Sequence, residues 1–163
     1  MIGYQELLKN QPPTGVYFHR TIDCYQQLLQ FDKAETALLE RLNKFKMANL
    51  YVELGYNYQL QKNQQKADLN YKTALEKINE NPSNVYGIAS AFEKKVLLDY
   101  ALQAYQTAIA IDPKYKFNFQ MAQLYGQMGK QDLMIEMYLE EMYVNPQNSV
   151  MVQNHLSRFM NDE

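Results

Sequence analysis

Tryptophan is absent from this sequence, cysteine occurs once and histidine twice. The single cysteine, Cys24, rules out an internal disulfide and leaves the redox compartment open. Two histidines, His19 and His155, fall far short of the three or four converging ligands that a zinc site needs. Glycine (6) and proline (5) are scarce in 163 residues, so turns are few and regular segments long. No run of 18 or more apolar residues exists, so no membrane insertion is expected. Residues 1–6 (MIGYQE) lack the basic and apolar regions of a signal peptide, and localisation stays unknown. Charge of one sign is also missing. Lys/Arg (16) and Asp/Glu (18) are interspersed, the net charge is −2, and no basic face invites nucleic acid.

What is present is apolar and aromatic. Hydrophobic residues make up 47% and charged residues 21%, which suits a folded chain rather than a disordered one. With 14 Tyr and no Trp, the core has to be built from Tyr, Leu, Phe, Met and Ala.

Four segments end alike: Tyr4 to Pro12, Tyr71 to Pro82, Tyr105 to Pro113 and Tyr138 to Pro146. Each opens on an aromatic, continues with apolar residues at helical spacing and stops at proline. Tyr71, Tyr105 and Tyr138 are spaced by 34 and then 33 residues. Upstream of these lie other one-sided helical patterns: Tyr51, Leu54, Gly55 and Tyr58; Val85, Ile88, Ala89 and Phe92; Met121, Ala122 and Tyr125. Short polar connectors follow at 61–64 and 129–132. Each unit therefore reads as helix, tight turn, helix, proline-marked turn. No segment alternates with period two, so no strands are expected. Small residues at Gly55 and Ala67, and at Ala89 and Ala101, let paired helices approach closely. One such unit cannot bury its apolar face alone, so units must stack.

The pattern resembles the tetratricopeptide repeat. Tyr51, Leu54-Gly55, Tyr58, Ala67, Tyr71 and Ala74 match the family's spacing, with Pro82 three residues late; Ala101, Tyr105, Ala108 and Pro113 match its second half. Met134 and Glu141 depart from it by replacing alanines, and Thr21-Ile22 replaces Leu-Gly in an earlier, degenerate unit. The resemblance implies an all-α fold: a right-handed α-α superhelix, or solenoid, of antiparallel helix pairs. It would hold about four units with a half-repeat helix at each end. The expected divisions are 1–14 (second helix of a truncated repeat), 15–47 (degenerate), 48–81, 82–114, 115–148, and 149–163 (terminal helix). Half-repeats at both ends suggest a piece of a longer array. Exposed ends could pair with another copy, giving a homodimer.

No pattern of catalytic chemistry emerges, so no enzyme and no cofactor is expected. His19 and Cys24 are five residues apart and fall on different helix faces, so Cys24 reads as a buried structural thiol. Glu140-Glu141 reads as a solvated face and Lys94-Lys95 as a short basic cluster. The resemblance instead implies a concave groove lined by first helices, in which an extended peptide or a helix lies. Carried over, the groove residues are Val16, His19, Asp23 and Gln26; Asn49, Val52, Tyr56 and Gln59; Ser83, Tyr86, Ser90 and Glu93; and Lys116, Phe119 and Gln123. The family branch that grips a C-terminal carboxylate uses Lys and Asn on successive first helices. His19/Asp23, Val52/Tyr56 and Tyr86/Ser90 stand at those places, so such recognition is not expected. The expected function is a non-catalytic scaffold that binds another protein or peptide. The alternative is a structural spacer or self-association module.

Overall fold

The fold is taken from a computed structural model, which describes residues 16–161. Among these residues there are nine α-helices and no strand. They run as successive pairs: α1 (Val16–Gln27) with α2 (Phe31–Phe45), α3 (Leu50–Leu60) with α4 (Gln64–Glu80), α5 (Val85–Lys94) with α6 (Leu98–Ile111), and α7 (Asn118–Gln127) with α8 (Gln131–Val144). A last helix, α9 (Ser149–Asn161), follows them. The reading of residues 1–14 as a half-repeat lies outside the described residues.

One backbone device makes every turn inside a pair. Leu29, Lys62, Val96 and Gly129 have φ of 55°, 59°, 57° and 71°, the left-handed region. The N–H of the next residue reaches back five residues, to the carbonyls of Tyr25, Tyr58, Phe92 and Tyr125. The left-handed residue's own N–H bonds three residues back, to Gln26, Gln59, Glu93 and Gly126. This pair of bonds is the Schellman closure, which satisfies carbonyls that a helix end leaves open. Only the fourth unit uses the residue suited to that conformation, Gly129.

Turns between pairs are made differently. Asn81 and Asp112 are extended, as residues preceding proline must be. Their side chains accept hydrogen bonds from the N–H of Ser83 and Lys114, two residues on. Pro82–Asn84 and Pro146–Asn148 each form one 3₁₀ turn that leads into the next first helix.

Small residues set the spacing within pairs. A Cβ on Gly55 would overlap the ring of Tyr71, which is fully buried. Ala67, Ala74, Ala89, Ala101 and Ala108 are completely inaccessible, so backbones meet across them. Where Met134 replaces an alanine, Gly126 makes the room: its missing Cβ would lie 2.9 Å from Met134 Sδ. Tyr71, Phe92 and Tyr100 fill the gap between the second and third pairs, with the Phe92 and Tyr100 rings stacked 5.2 Å apart.

Stacking is not uniform. Helix α4 packs on α6, whereas α2 and α4, and likewise α6 and α8, barely meet. Between α6 and α8 the loop 112–117 inserts Tyr115 and Phe117, stacked at 5.7 Å, with Phe117 also against Tyr105. Among the described residues the core divides in three: one cluster runs from Val52 through the second and third pairs to Met121 and Leu124 of α7, one joins the first pair to Leu50 and Leu54 of α3, and one, of Ala122, Met134, Tyr138 and Val152, joins the fourth pair to α9.

Candidate functional site: the concave groove

The first helices α1, α3 and α5 lie side by side and frame a depression of about 1050 Å³. Helix α3 sits in the middle and is enclosed on most sides: Leu50, Val52, Glu53, Leu54, Gly55, Asn57 and Tyr58 are all buried. Its polar members are held by specific partners. Asn57, fully buried, donates through Nδ2 to the carbonyl of Phe31 (3.1 Å) and accepts from Gln26 Nε2 (3.3 Å). Such pairing is what a buried amide requires.

Glu53 is the centre of a charge cluster on the groove floor. One carboxylate oxygen lies 3.1 Å from Lys95 Nζ, and the other 3.6 Å from His19 Nδ1. The same ammonium lies 3.2 Å from Asp23 Oδ1 and 4.7 Å above the Tyr56 ring. Lys95 immediately follows α5, where the partial negative charge of a helix C-terminus favours a cation. The cluster thus joins the first helices of three successive pairs. Burial by itself would push Glu53 up. Contact with His19 and the charge of Lys95 outweigh it and hold the carboxyl below its ordinary range. Burial likewise works against the charge on Lys95, but Glu53 and Asp23 prevail and hold the ammonium above its ordinary value.

The structure brings some of the expected groove residues together and separates others. His19, Asp23, Gln26, Asn49, Tyr56, Tyr86 and Ser90 line the depression. Val52 does not: it is fully buried, and Glu53 holds its place on the groove face. Gln59 and Glu93 are used internally, accepting from the hydroxyls of Tyr71 (2.7 Å) and Tyr105 (2.9 Å). Ser83, whose hydroxyl lies 3.4 Å from that of Tyr115, is outside the lining. Lys116 lies in the loop before α7, and Gln123 on α7 is half-buried; neither lines the depression. Phe119 packs inward, 5.6 Å from the Tyr138 ring and 5.0 Å from that of His155. Val16 begins α1.

Three further expectations are corrected. Cys24 is exposed, not buried, because α1 presents Asp23 and Cys24 on its open side. Glu141 is buried rather than solvated: it accepts from Asn145 (3.0 Å) and Asn148 (2.6 Å) and so ties α8 to the turn before α9. Lys95, expected only as half of a short basic cluster, is the hub of the floor cluster. The groove residues that sequence reasoning missed include Arg20, Gln27, Glu53, Gly87, Lys94 and Lys95. One signal was available for Glu53, a lone acid in an otherwise apolar first helix turn.

Among the described residues no three His, Cys, Asp or Glu side chains gather as a metal site, and no helix is long and apolar enough to cross a membrane. No protein-family model matches the chain, and no curated protein does. Among solved structures it is similar to the crystal structure of MamA, at 23% identity over 77% of this chain and 74% of that one, with a TM-score of 0.43. A second structure of MamA protein gives 17% identity over 90% and 81%, also at 0.43. Nothing about partners follows from a likeness at that level.

Proposed function

We propose that this chain is a tetratricopeptide-type scaffold, and that its concave groove binds an extended segment of another protein. The observation that carries the reading is Gly87. It lies on the groove floor, where an added Cβ would meet only Asn49, at 3.7 Å and beyond. A helix interior disfavours glycine by roughly 1 kcal/mol relative to alanine, and nothing packed against Gly87 demands one. Its absent side chain instead keeps the floor low beside Tyr86, which is 58% exposed and rests edge-on against Tyr115 and Phe117. A low floor beside an aromatic with a polar tip suits a peptide that lays its backbone in the groove. The rigid walls limit the ordering cost to the peptide side. On this reading the repeat units are 15–47, 48–81, 82–114 and 115–148.

The test is a blocking substitution. Gly87→Phe fills the groove without a backbone clash and improves helix propensity, so the protein stays folded. A partner recovered with the parent and lost with Gly87→Phe supports the groove reading. Equal recovery by both refutes it.

A second reading, self-association, is favoured by apolar residues on the last two helices. Leu139, Tyr143 and Val150 are 58%, 84% and 68% exposed. Sedimentation velocity across a hundredfold concentration range separates the two. A dimer that Tyr143→Lys with Leu139→Lys dissolves supports this reading, and a monomer throughout rejects it.

A further inference from the structure

The charges of the groove are not balanced, and the imbalance points to the chemistry of what it holds. Its two carboxylates, Asp23 and Glu53, are both committed to Lys95, at 3.2 and 3.1 Å. Two other cations line the same depression, Arg20 on α1 and Lys94 at the end of α5. Both are exposed, and among the described residues neither has a carboxylate within ion-pair distance. In the chain they flank the Lys95–Asp23 pair that bridges α1 and the end of α5. Lys94 precedes the residue that bonds Asp23, and Arg20 is one helical turn before Asp23. The rest of the lining offers uncharged hydrogen-bonding groups, among them Gln27, Asn49 and Ser90. The molecule as a whole carries −2, so this cationic pair runs against the overall charge.

From this we infer that the groove takes an extended segment rich in acidic side chains, whose carboxylates sit between Arg20 and Lys94. The inference deepens the groove reading above and rests on it. Arginine favours this use, because its planar fork donates two parallel N–H bonds to one carboxylate. The acidic groups are side chains of the segment and not its terminus, since the floor cation that would meet a terminal carboxylate, Lys95, is already neutralised. Nucleic acid fits less well, because phosphate binding needs a run of unpaired cations rather than two.

The probe is a phage-displayed library of random twelve-residue peptides, selected on the immobilised protein at low salt. The strongest enriched sequence is then synthesised with both ends blocked and titrated by fluorescence anisotropy. Its binding is compared for the parent, Gly87→Phe, Arg20→Glu with Lys94→Glu, and Lys72→Glu with Arg158→Glu. The last pair makes the same change in net charge outside the groove. Circular dichroism confirms folding of each.

The expected result is an acidic excess among enriched sequences and roughly tenfold or greater weakening in Arg20→Glu with Lys94→Glu, as for the loss of paired charges at an interface. The control pair should change affinity by less than about twofold, as distant exposed charges do under screening. Neutral or basic enriched sequences that still depend on Gly87 would overturn the acidic inference and leave the groove reading standing. Equal loss in both charge pairs would overturn it too. No enrichment, or indifference to Gly87→Phe, would sink both. Tighter groove binding of a fluorescein-labelled oligouridine than of any peptide would assign the cations to nucleic acid instead.

Discussion

Five of the described residues sit in left-handed backbone, four of them at the turns inside pairs, and only Gly129 belongs there by its own preference. Leu29, Lys62 and Val96 are held by the Schellman bonds of their turns, which recur at 33- or 34-residue spacing. For a β-branched residue that conformation is a true outlier. Val96 is 74% exposed, so its side chain gains little in return. Val96→Gly should therefore stabilise the protein by about 1 kcal/mol, the order of the left-handed penalty. A higher urea midpoint is the expected reading; a lower one would mean that the Val96 side chain packs where the surface says it does not. Gly55 is the opposite case. Its Cβ would overlap the Tyr71 ring and lie 3.1 Å from the Ala67 carbonyl oxygen. Tyr71 cannot swing aside, because it is fully buried and its hydroxyl is bonded to Gln59. Gly55→Ala should lower stability by about 2 kcal/mol, as overpacking does, despite alanine's better helix propensity. An unchanged urea midpoint would contradict that.

Helices were easy to read from this sequence and their faces were not. The 33- to 34-residue spacing placed Tyr71, Tyr105 and Tyr138 on second helices, and each is buried there. Proline marked the turns between pairs because the residue before it cannot stay helical. The groove face of α3 was misread by one position, Val52 for Glu53. An amphipathic rule assigns one face to the core, but α3 is buried nearly all round and has no single apolar stripe. Lys95 was misread because its partners are Asp23 and Glu53, 72 and 42 residues earlier, and no local pattern reports such a contact. The size exchange between Gly126 and Met134 was hidden for the same reason. The misread cluster yields a prediction about helix pairing. Lys95→Met leaves Glu53 buried with only His19 beside it, and should cost about 3 kcal/mol, the usual loss when one partner of a buried pair is removed. Adding Glu53→Gln should restore a large part of that. If the double variant is as unstable as the sum of the singles, the two residues do not act as a pair.

At the scale of the whole molecule the array has a firm part and a looser one. The second and third pairs share α4 on α6 and one core cluster; the first pair is tied to them through the floor cluster, and the fourth through the aromatic loop 112–117 with Met121 and Leu124 of α7. In a stacked array stability is a sum of unit and neighbour terms, so a weak junction is felt locally. Amide hydrogen exchange should be slowest in α3 to α5 and faster in α7 and α8. Equal protection would mean that the aromatic wedge couples the fourth pair as well as direct stacking does.

The firm part also has a pH window. The carboxyl of Glu53 is held below its unfolded value, so its stabilisation is present above about pH 4.3, the ordinary glutamate value, and is lost as pH falls through the lower folded value. The ammonium of Lys95 is held above its unfolded value, so its contribution is present below about pH 10.4 and is lost as pH rises through the folded one. The alkaline side is shared with the tyrosines. Burial and the neighbouring Glu35 push Tyr58 up to about 12, and burial also raises Tyr71 and Tyr105. These hydroxyls resist ionisation when folded, so they too withdraw stability as pH rises, in the parent and in any variant that keeps them. The acid side is therefore the clean measurement. The urea midpoint of the parent, compared with Glu53→Gln/Lys95→Met, should show a difference that is constant from about pH 8 to 9 and shrinks below about pH 4. The carboxylates outside the floor cluster are common to both proteins and cancel in that difference. Curves that stay parallel down to pH 2 would mean that Glu53 titrates alike in the folded and unfolded chain, and that the floor cluster does not hold the first three pairs together.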